Sequence, residues 1–286
     1  MPHFITRRDA AIGLLLPAVA VAADDSLKTR LAELDRQSGG RLGVAVLDTA
    51  TGHVVAHRGS ERFPMCSTFK ASAVACVLQR VDRNKERLDR RIVFSEKDIL
   101  AYAPVAKQHV GGAGMSLREL CDAAITVSDN TAANLLLASF GGPAGLTKFW
   151  RSIGDTFTRL DRTEPDLNEG TPGDLRDTTS PYAMLQNLRQ FVLGDVLSPS
   201  SRELFSTWLI ANTTGATKLR AGLPKHWRIG DKTGSGGHET NNDIAVIWPP
   251  GRKPLVVTAY LTQGSSAEEA RSEILAEVGR AVLTMI

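Results

Sequence analysis

The sequence predicts an α/β protein in which one sheet domain, built from both ends of the chain, carries an inserted all-helical domain. Three observations lead there. Short apolar runs with strand character cluster at residues 42–57 and again at 227–261. The residues between them, from about Ser67 to Ala211, show helical spacing instead. The chain has 286 residues, 42% hydrophobic and 23% charged, which is the balance of an ordinary globular protein and length for about two domains or one large one.

Taken in order, the first 23 residues read as an export signal. Arg7 and Arg8 precede an apolar or small stretch, Ala10–Ala23, too short to span a bilayer of roughly 30 Å as a helix. It ends in Ala20-Val21-Ala22-Ala23, a small-residue pattern that a signal peptidase accepts, before Asp24-Asp25. The Thr6-Arg7-Arg8-Asp9 start resembles a twin-arginine signal, so export by that route or by general secretion stays open. The expected home is therefore the periplasm or the medium. Ser26–Gln37 follows as a helix, with Leu27, Leu31 and Leu34 on one face, and Gly39-Gly40 ends it. Leu42–Asp48 and His53–His57 read as a hairpin around the Thr49–Gly52 turn. The helical middle includes Thr68–Val81, Leu117–Val127, Thr131–Ser139, Pro143–Ile153 and Arg202–Ile210. A long polar loop, Arg159–Thr179, interrupts it, and a structureless loop of that length inside a compact region is usually functional. Trp227–Lys232, Asp243–Trp248 and Leu255–Leu261 are strands, with Pro249-Pro250-Gly251 as a hairpin turn. Ser266–Thr284 closes the chain as an amphipathic helix. The expected division is residues 24–60 with 212–286 for the sheet domain and 61–211 for the helical one.

Composition narrows the function. Lys and Arg number 34 against 31 Asp and Glu, a net charge of +3, and no block of like charge supports a nucleic-acid groove or a polybasic membrane anchor. Six His and three Cys, in no close cluster, leave little material for a metal cage. The expectation is a monomeric protein without cofactor or stable membrane anchor, acting on a small molecule.

Four segments could carry chemistry. In Ser67-Thr68-Phe69-Lys70, residues three apart share a helix face, so Lys70 can reach the Ser67 hydroxyl, a poor nucleophile until its proton is removed. Taken alone, the pattern equally suits a helix cap with a surface lysine. Ser128-Asp129-Asn130 suits a helix cap as well, or a second hydroxyl relaying a proton with an amide binding substrate and lysine. Lys232-Thr233-Gly234, at the end of a strand, offers a cation, a hydroxyl and a glycine that lets a ligand approach the backbone. The G-x-x-x-x-G-K spacing of a phosphate loop is missing. Glu164-Pro165-Asp166-Leu167-Asn168 places a carboxylate and an amide where both can hold a water for general-base hydrolysis, and Pro165 is a candidate for a cis bond.

Together, and in this order, these segments resemble the class A serine β-lactamases, whose signature is Ser-x-x-Lys, Ser-Asp-Asn and Lys-Thr-Gly. The resemblance covers essentially the whole mature chain, and it extends to Phe63-Pro64-Met65-Cys66, Tyr102-Ala103-Pro104-Val105 and Ala124-Ile125-Thr126-Val127. It implies a five-stranded antiparallel sheet flanked by helices, with the active site where the all-α domain meets it. It implies attack by Ser67 on a lactam carbonyl, an oxyanion between the N–H groups of Ser67 and Ser235, proton delivery from Ser128, and deacylation by a water held by Glu164 and Asn168. Lys70 or Glu164 would take the serine proton. Asn130 would bond the substrate amide, Lys232, Thr233, Gly234 and Ser235 would bind its carboxylate side, and Tyr102 would wall the cleft.

Two departures stand out. The strand position where relatives carry an arginine behind the carboxylate pocket holds Asn241, which leaves Lys218 or Arg271 for that role. Cys76 is shifted two positions, about 200° of helix, from where a partner for Cys121 is expected, and Gly236 is not the cysteine that would pair with Cys66. No disulfide is expected. Ser235-Gly236-Gly237 resembles the cleft edge of members that accept oxyimino-cephalosporins as well as penicillins. A D,D-peptidase, the nearest alternative, would not need the Glu164…Asn168 pair, and a generic esterase lacks its G-x-S-x-G elbow here.

Overall fold

The computed structural model describes residues 16–264 and 267–286, so residues 1–15 of the expected export signal and Ser266 lie outside the described residues. Helix α1 (Leu16–Ser38) leads into strands β1 (Arg41–Asp48), β2 (Val54–His57) and β3 (Phe63–Pro64). The middle of the chain holds α2 (Phe69–Asp82), the short strands β4 (Arg91–Ile92) and β5 (Met115–Ser116), then α3 (Leu117–Thr126), α4 (Asn130–Ser139) and α5 (Gly142–Ser152). After β6 (Thr178–Thr179) come α6 (Pro181–Leu193) and α7 (Pro199–Ile210), and the chain ends with β7 (Arg228–Gly236), β8 (Thr240–Trp248), β9 (Leu255–Thr262) and α8 (Glu268–Val282). The main sheet has five strands in the order β2-β1-β9-β8-β7, antiparallel throughout. Its β1–β9 pairing joins the two ends of the chain.

Both faces of this sheet are covered, which is why its strands read as continuous apolar runs rather than alternating ones. Side chains alternate across a strand, and the two hydrophobic clusters follow that alternation. Ala245, Ile247, Val257 and Leu261 pack with Leu27, Leu31 and Leu34 of α1 and with Leu275 and Val278 of α8. Ile244, Val246, Val256 and Tyr260 join Phe69 and Val74 of α2, Trp150 of α5, Phe191 of α6 and Phe205 of α7. The edge strand β7 thereby runs beside the start of α2, and this places the candidate site.

Several elements differ from the sequence expectation, and the first is α1, which begins at Leu16 rather than at Ser26. Helix α6 was not singled out, although Ser180 caps it at Ala183 N, Pro181 starts it, and Met184, Leu185, Leu188 and Phe191 supply a buried face. The loop before it is not structureless, since Asp166–Asn168 forms a 3-10 turn and β6 pairs with β3. Strand β7 continues through Gly236, paired with Thr240, so Lys232-Thr233-Gly234 lies inside a strand; main-chain pairing tolerates the glycines. Helix α8 begins at Glu268. The three cysteines are buried and free.

Asp35 links α1 to the sheet. Its carboxylate accepts Leu42 N at 2.8 Å and Arg58 Nε at 3.0 Å, with His57 Nε2 at 3.0 Å. Burial favours the neutral acid, but the Leu42 N–H, the Arg58 guanidinium and His57 outweigh it and hold the carboxyl below its usual range. Stability from such a group is present above the ordinary carboxylate pKa and is lost as pH falls through the lowered one. Asp35→Asn should therefore lower Tm near neutral pH by roughly 3–6 °C. The deficit should shrink as pH drops below the carboxylate range, as checked by calorimetry across pH. An equal deficit at every pH would contradict the role assigned to the charge.

Candidate active site

The site starts from a bend in the backbone. Cys66–Thr68 forms a 3-10 turn that feeds α2, and Cys66 sits in the left-handed region at φ 45°, which costs a non-glycine residue free energy and is typical of functional sites. Side chains hold the bend. Asn242 Nδ2 donates to Pro64 O at 2.9 Å and to Met65 O at 3.1 Å, and Thr68 Oγ1 donates to Met65 O at 2.8 Å. Strand β7 meets the turn backbone to backbone, because a β-carbon on Gly234 would lie 2.8 Å from Met65 O and 3.1 Å from Ser67 N. Only glycine lets the strand approach so closely.

Ser67 Oγ donates to Glu164 Oε1 at 3.2 Å. The expected bond from Lys70 to this hydroxyl does not form. The Lys70 ammonium turns to Ser128 O at 2.8 Å, Ser128 Oγ at 3.2 Å, Asn130 Oδ1 at 2.6 Å and Glu164 Oε1 at 3.0 Å. Helical spacing put the two residues on one face as predicted, but a fully buried ammonium goes where acceptors are most numerous. Burial pushes the Lys70 pKa down, and the adjacent Glu164 carboxylate opposes it.

Ser128 has φ 60° and lies between two cations, with Lys232 Nζ donating to its Oγ at 3.0 Å. A hydroxyl has two lone pairs and one proton. Both lone pairs face ammonium groups, so its proton is left to donate elsewhere. Lys232 is buried as well, and desolvation together with the nearby Lys70 and Lys218 drives its pKa well down. The Asp129 carboxylate caps α4 at Ala132 N and accepts Val105 N and Ala106 N at 3.0 and 2.9 Å. Asn130 N donates to Tyr102 O at 3.0 Å. This fixes the segment that presents Tyr102, half exposed, at the rim of the cleft.

Glu164 is held from both ends. Asn134 bonds its backbone reciprocally, Nδ2 to Glu164 O and Glu164 N to Oδ1, each at 2.9 Å. Asn168 Nδ2 donates to its Oε2, whereas Asn168 Oδ1 is buried without a hydrogen-bond partner among the described residues. The Glu164–Pro165 bond is cis, as the sequence suggested. Arg162 staples the loop to Asp177 at 2.6 Å and to Glu169, and Gly237 N donates to Asn168 O at 2.8 Å, tying the loop to the end of β7.

Beside these groups opens a cleft of about 420 Å³. Its far end is lined by Thr233, Ser235 and Lys218. Lys218 Nζ lies 3.5 Å from Ser235 Oγ and donates to Asn241 Oδ1, and Asn241 Nδ2 reaches Ser272 Oγ at 3.2 Å. Of the two candidate cations, Lys218 therefore faces the cleft and Arg271 does not. On α8 it is Ser272 and, one turn earlier, Glu268 that line it, and the single residue step from Ser272 to Arg271 turns about 100° around the helix. A β-carbon on Gly236 would come 2.6 Å from Cys66 Sγ, which agrees with the spatial relation inferred for those two positions.

The structure thus brings together Ser67, Lys70, Ser128, Asn130, Glu164, Asn168, Lys232, Thr233, Gly234, Ser235, Lys218 and Tyr102. The helix-cap reading of Ser128-Asp129-Asn130 holds for Asp129, whereas sequence reasoning missed Asn134, Asn242 and Thr214, whose Oγ1 lies 2.5 Å from Thr233 Oγ1. For Asn134 a signal existed, since it stands one helical turn after Asn130. The Asn242 and Thr214 contacts cross between distant segments and leave no local pattern.

Comparisons with known proteins identify the family. A family profile described as "Beta-lactamase enzyme family" matches residues 26–286. Beta-lactamase CTX-M-25 of Escherichia coli is 49% identical over 96% of this chain and 94% of its own. Beta-lactamase L2 of Stenotrophomonas maltophilia is 51% identical over 88% of this chain and 83% of its own. Among solved structures, an ancestral (GNCA) class A β-lactamase is 64% identical with TM-score 0.89, covering 90% of this chain and 98% of its own.

The contact at Gly234 yields a direct test. Gly234→Ala should push β7 off the Ser67 turn and cut β-lactam turnover about 10²-fold, the scale of a catalytic misplacement of about 1 Å, with the far-UV circular dichroism unchanged. Wild-type turnover would refute the close-contact account.

Proposed function

The chain belongs to the class A β-lactamase family, enzymes that hydrolyse the amide bond of the β-lactam ring, and we propose that it does so through an acyl-enzyme on Ser67 that is resolved by a water acting with Glu164. The observation that carries this reading is the shared oxygen Glu164 Oε1, bonded to the Ser67 hydroxyl and to the Lys70 ammonium at once.

In acylation, the Ser67 oxygen attacks the lactam carbonyl carbon as its proton passes to Glu164. Lys70 spends its N–H groups on Ser128, Asn130 and Glu164, so it acts as a cation that lowers the cost of the developing negative charge. The carbonyl oxygen becomes an oxyanion between the N–H groups of Ser67 and Ser235, and the closeness of Gly234 to Ser67 N supports that placement. The C–N bond then breaks, and the lactam nitrogen takes the proton of Ser128; Lys70, which touches both groups, passes the proton held by Glu164 on to Ser128, so that Glu164 is again a carboxylate. Lys218, Thr233 and Ser235 hold the substrate carboxylate, and Asn130 bonds the acyl-side amide.

In deacylation, Glu164 removes a proton from water as that water attacks the ester carbonyl, and returns it to the Ser67 oxygen as the ester bond breaks. The unpartnered, buried Asn168 Oδ1 beside Glu164 supports a water position at that spot, since a buried polar atom needs a partner. The reading extends to export directed by the first 23 residues and to a monomeric enzyme. Among the described residues no helix is long and apolar enough to cross a membrane.

The breadth of substrates is read from the end of β7. Gly236 and Gly237 set bare backbone against Asn168 O and Glu169 O, so this edge of the cleft carries no side chain against a bulky acyl group. Oxyimino-cephalosporins are accordingly proposed as substrates alongside penicillins. Steady-state assays should give measurable cefotaxime turnover as well as benzylpenicillin turnover, and penicillin hydrolysis with no detectable cefotaxime hydrolysis would restrict the reading to penicillins. Glu164→Ala should form the covalent adduct more slowly, with Lys70, released from its ion pair, left to take the serine proton, and should accumulate it because deacylation is slowed further still, by about 10²–10⁴-fold as for loss of a general base. Intact-protein mass spectrometry reads the adduct, and rapid turnover by this variant would remove Glu164 from its assigned role.

A further inference from the structure

The mouth of the carboxylate pocket carries an acidic side chain that hydrolysis itself does not use. Glu268 is exposed and lines the cleft with Lys218, Thr217 and Ser272. It opens α8, and its neighbour Glu269 shares the same first turn without lining the cleft. Both carboxylates suit the positive end of a helix, which accounts for acids in this turn but not for one of them at the pocket mouth. Glu268 also acts on the pocket cation. Desolvation works to strip the Lys218 proton, while Asp243 and then Glu268 favour keeping it. Lys218 is buried and bonded to Asn241, so a substrate carboxylate docked there leaves Glu268 as an exposed negative charge beside it.

We propose that Glu268 is a specificity-determining residue that favours cephalosporins bearing a positive charge on the C3 substituent. The proposal rests on the β-lactam reading above. In a cephalosporin the carbon bearing the carboxylate is bonded directly to C3. With the carboxylate on Lys218, Thr233 and Ser235, the substituent starts two bonds away and leaves through the same mouth. A cation on it meets the Glu268 charge across a partly solvated gap, where an unpaired carboxylate is worth about five- to tenfold in transition-state binding. Penicillins have no such substituent and do not sample this contact.

Cephaloridine and cephalothin test it, because they share nucleus and acyl side chain and differ at C3, a pyridinium against a neutral acetoxy group. The readout is the ratio of their kcat/KM values for the purified protein. Glu268→Gln should lower the cephaloridine preference about fivefold, and Glu268→Asp, which keeps the charge, should retain it. Glu269→Gln, which removes the other acid of the same turn, should leave the ratio within about twofold. Raising ionic strength from about 0.02 M to about 0.5 M should shrink the wild-type preference, since exposed charges are screened. An unchanged ratio in Glu268→Gln, or an equal fall in Glu269→Gln, overturns the proposal while leaving the β-lactam reading intact. Failure of the wild type to hydrolyse either compound overturns the proposal, and failure to hydrolyse benzylpenicillin as well overturns the β-lactam reading.

Discussion

Two charges that never meet solvent organise this protein. Lys70 and Glu164 have fully buried side chains, 3.0 Å apart, and removing such ions from water costs several kcal/mol each unless further partners replace the lost hydration. The cleft supplies those partners. Ser128, Asn130 and Asn168 bond the side chains, Asn134 locks the backbone of Glu164, and Arg162 with Asp177 pins the loop on which it rides. None of these groups is redundant, since a buried ion that loses one partner is left with an uncompensated charge. The same burial serves the chemistry: in a site of low dielectric, a fixed cation acts on a developing charge far more strongly than it would in water.

That arrangement works only if the sheet comes close. The edge strand β7 carries Lys232, Thr233 and Ser235 along one wall, and Gly234 brings its backbone against the Ser67 turn. The other strands hold it there. Thr233 and Ser235 lie opposite Asp243 and Asn241 of β8, so the second row of polar groups sits directly behind the first. Asn241 steadies Lys218. Asp243 accepts Leu219 N, and burial next to Asp231 raises its pKa well above the carboxylate range. On the adjacent position of the same strand, Asn242 faces the opposite side and braces Pro64 and Met65. Three consecutive residues of β8 therefore support both the carboxylate end and the nucleophile end of the cleft, because successive side chains leave a strand on opposite faces.

Much of the fold was legible in the residues. Leu27, Leu31 and Leu34 announced a helix and the apolar runs of β1, β8 and β9 announced strands, while their burial on both faces is seen only in the packing. The helix that covers the inner face, α6, was missed although Ser180-Pro181 is a helix start. The apolar run predicts a strand that ends at Lys232-Thr233-Gly234, yet pairing with β8 carries the strand on to Gly236. The motif residues were legible for a chemical reason: nucleophile, cation, hydroxyl and carboxylate types recur at spacings that catalysis requires.

The sequence by itself determined which side chains are available and which neighbours along the chain share a face, since helical and strand periodicities are local properties. It could not decide to whom each side chain bonds. Lys70 stands three residues from Ser67, yet its ammonium goes to Ser128, Asn130 and Glu164, from segments roughly 60 to 90 residues away. Lys218 rather than Arg271 faces the pocket because α8 presents Ser272 there. Those choices belong to the tertiary structure: a buried polar group takes the partners that packing sets within about 3 Å, and packing joins residues that are remote along the chain.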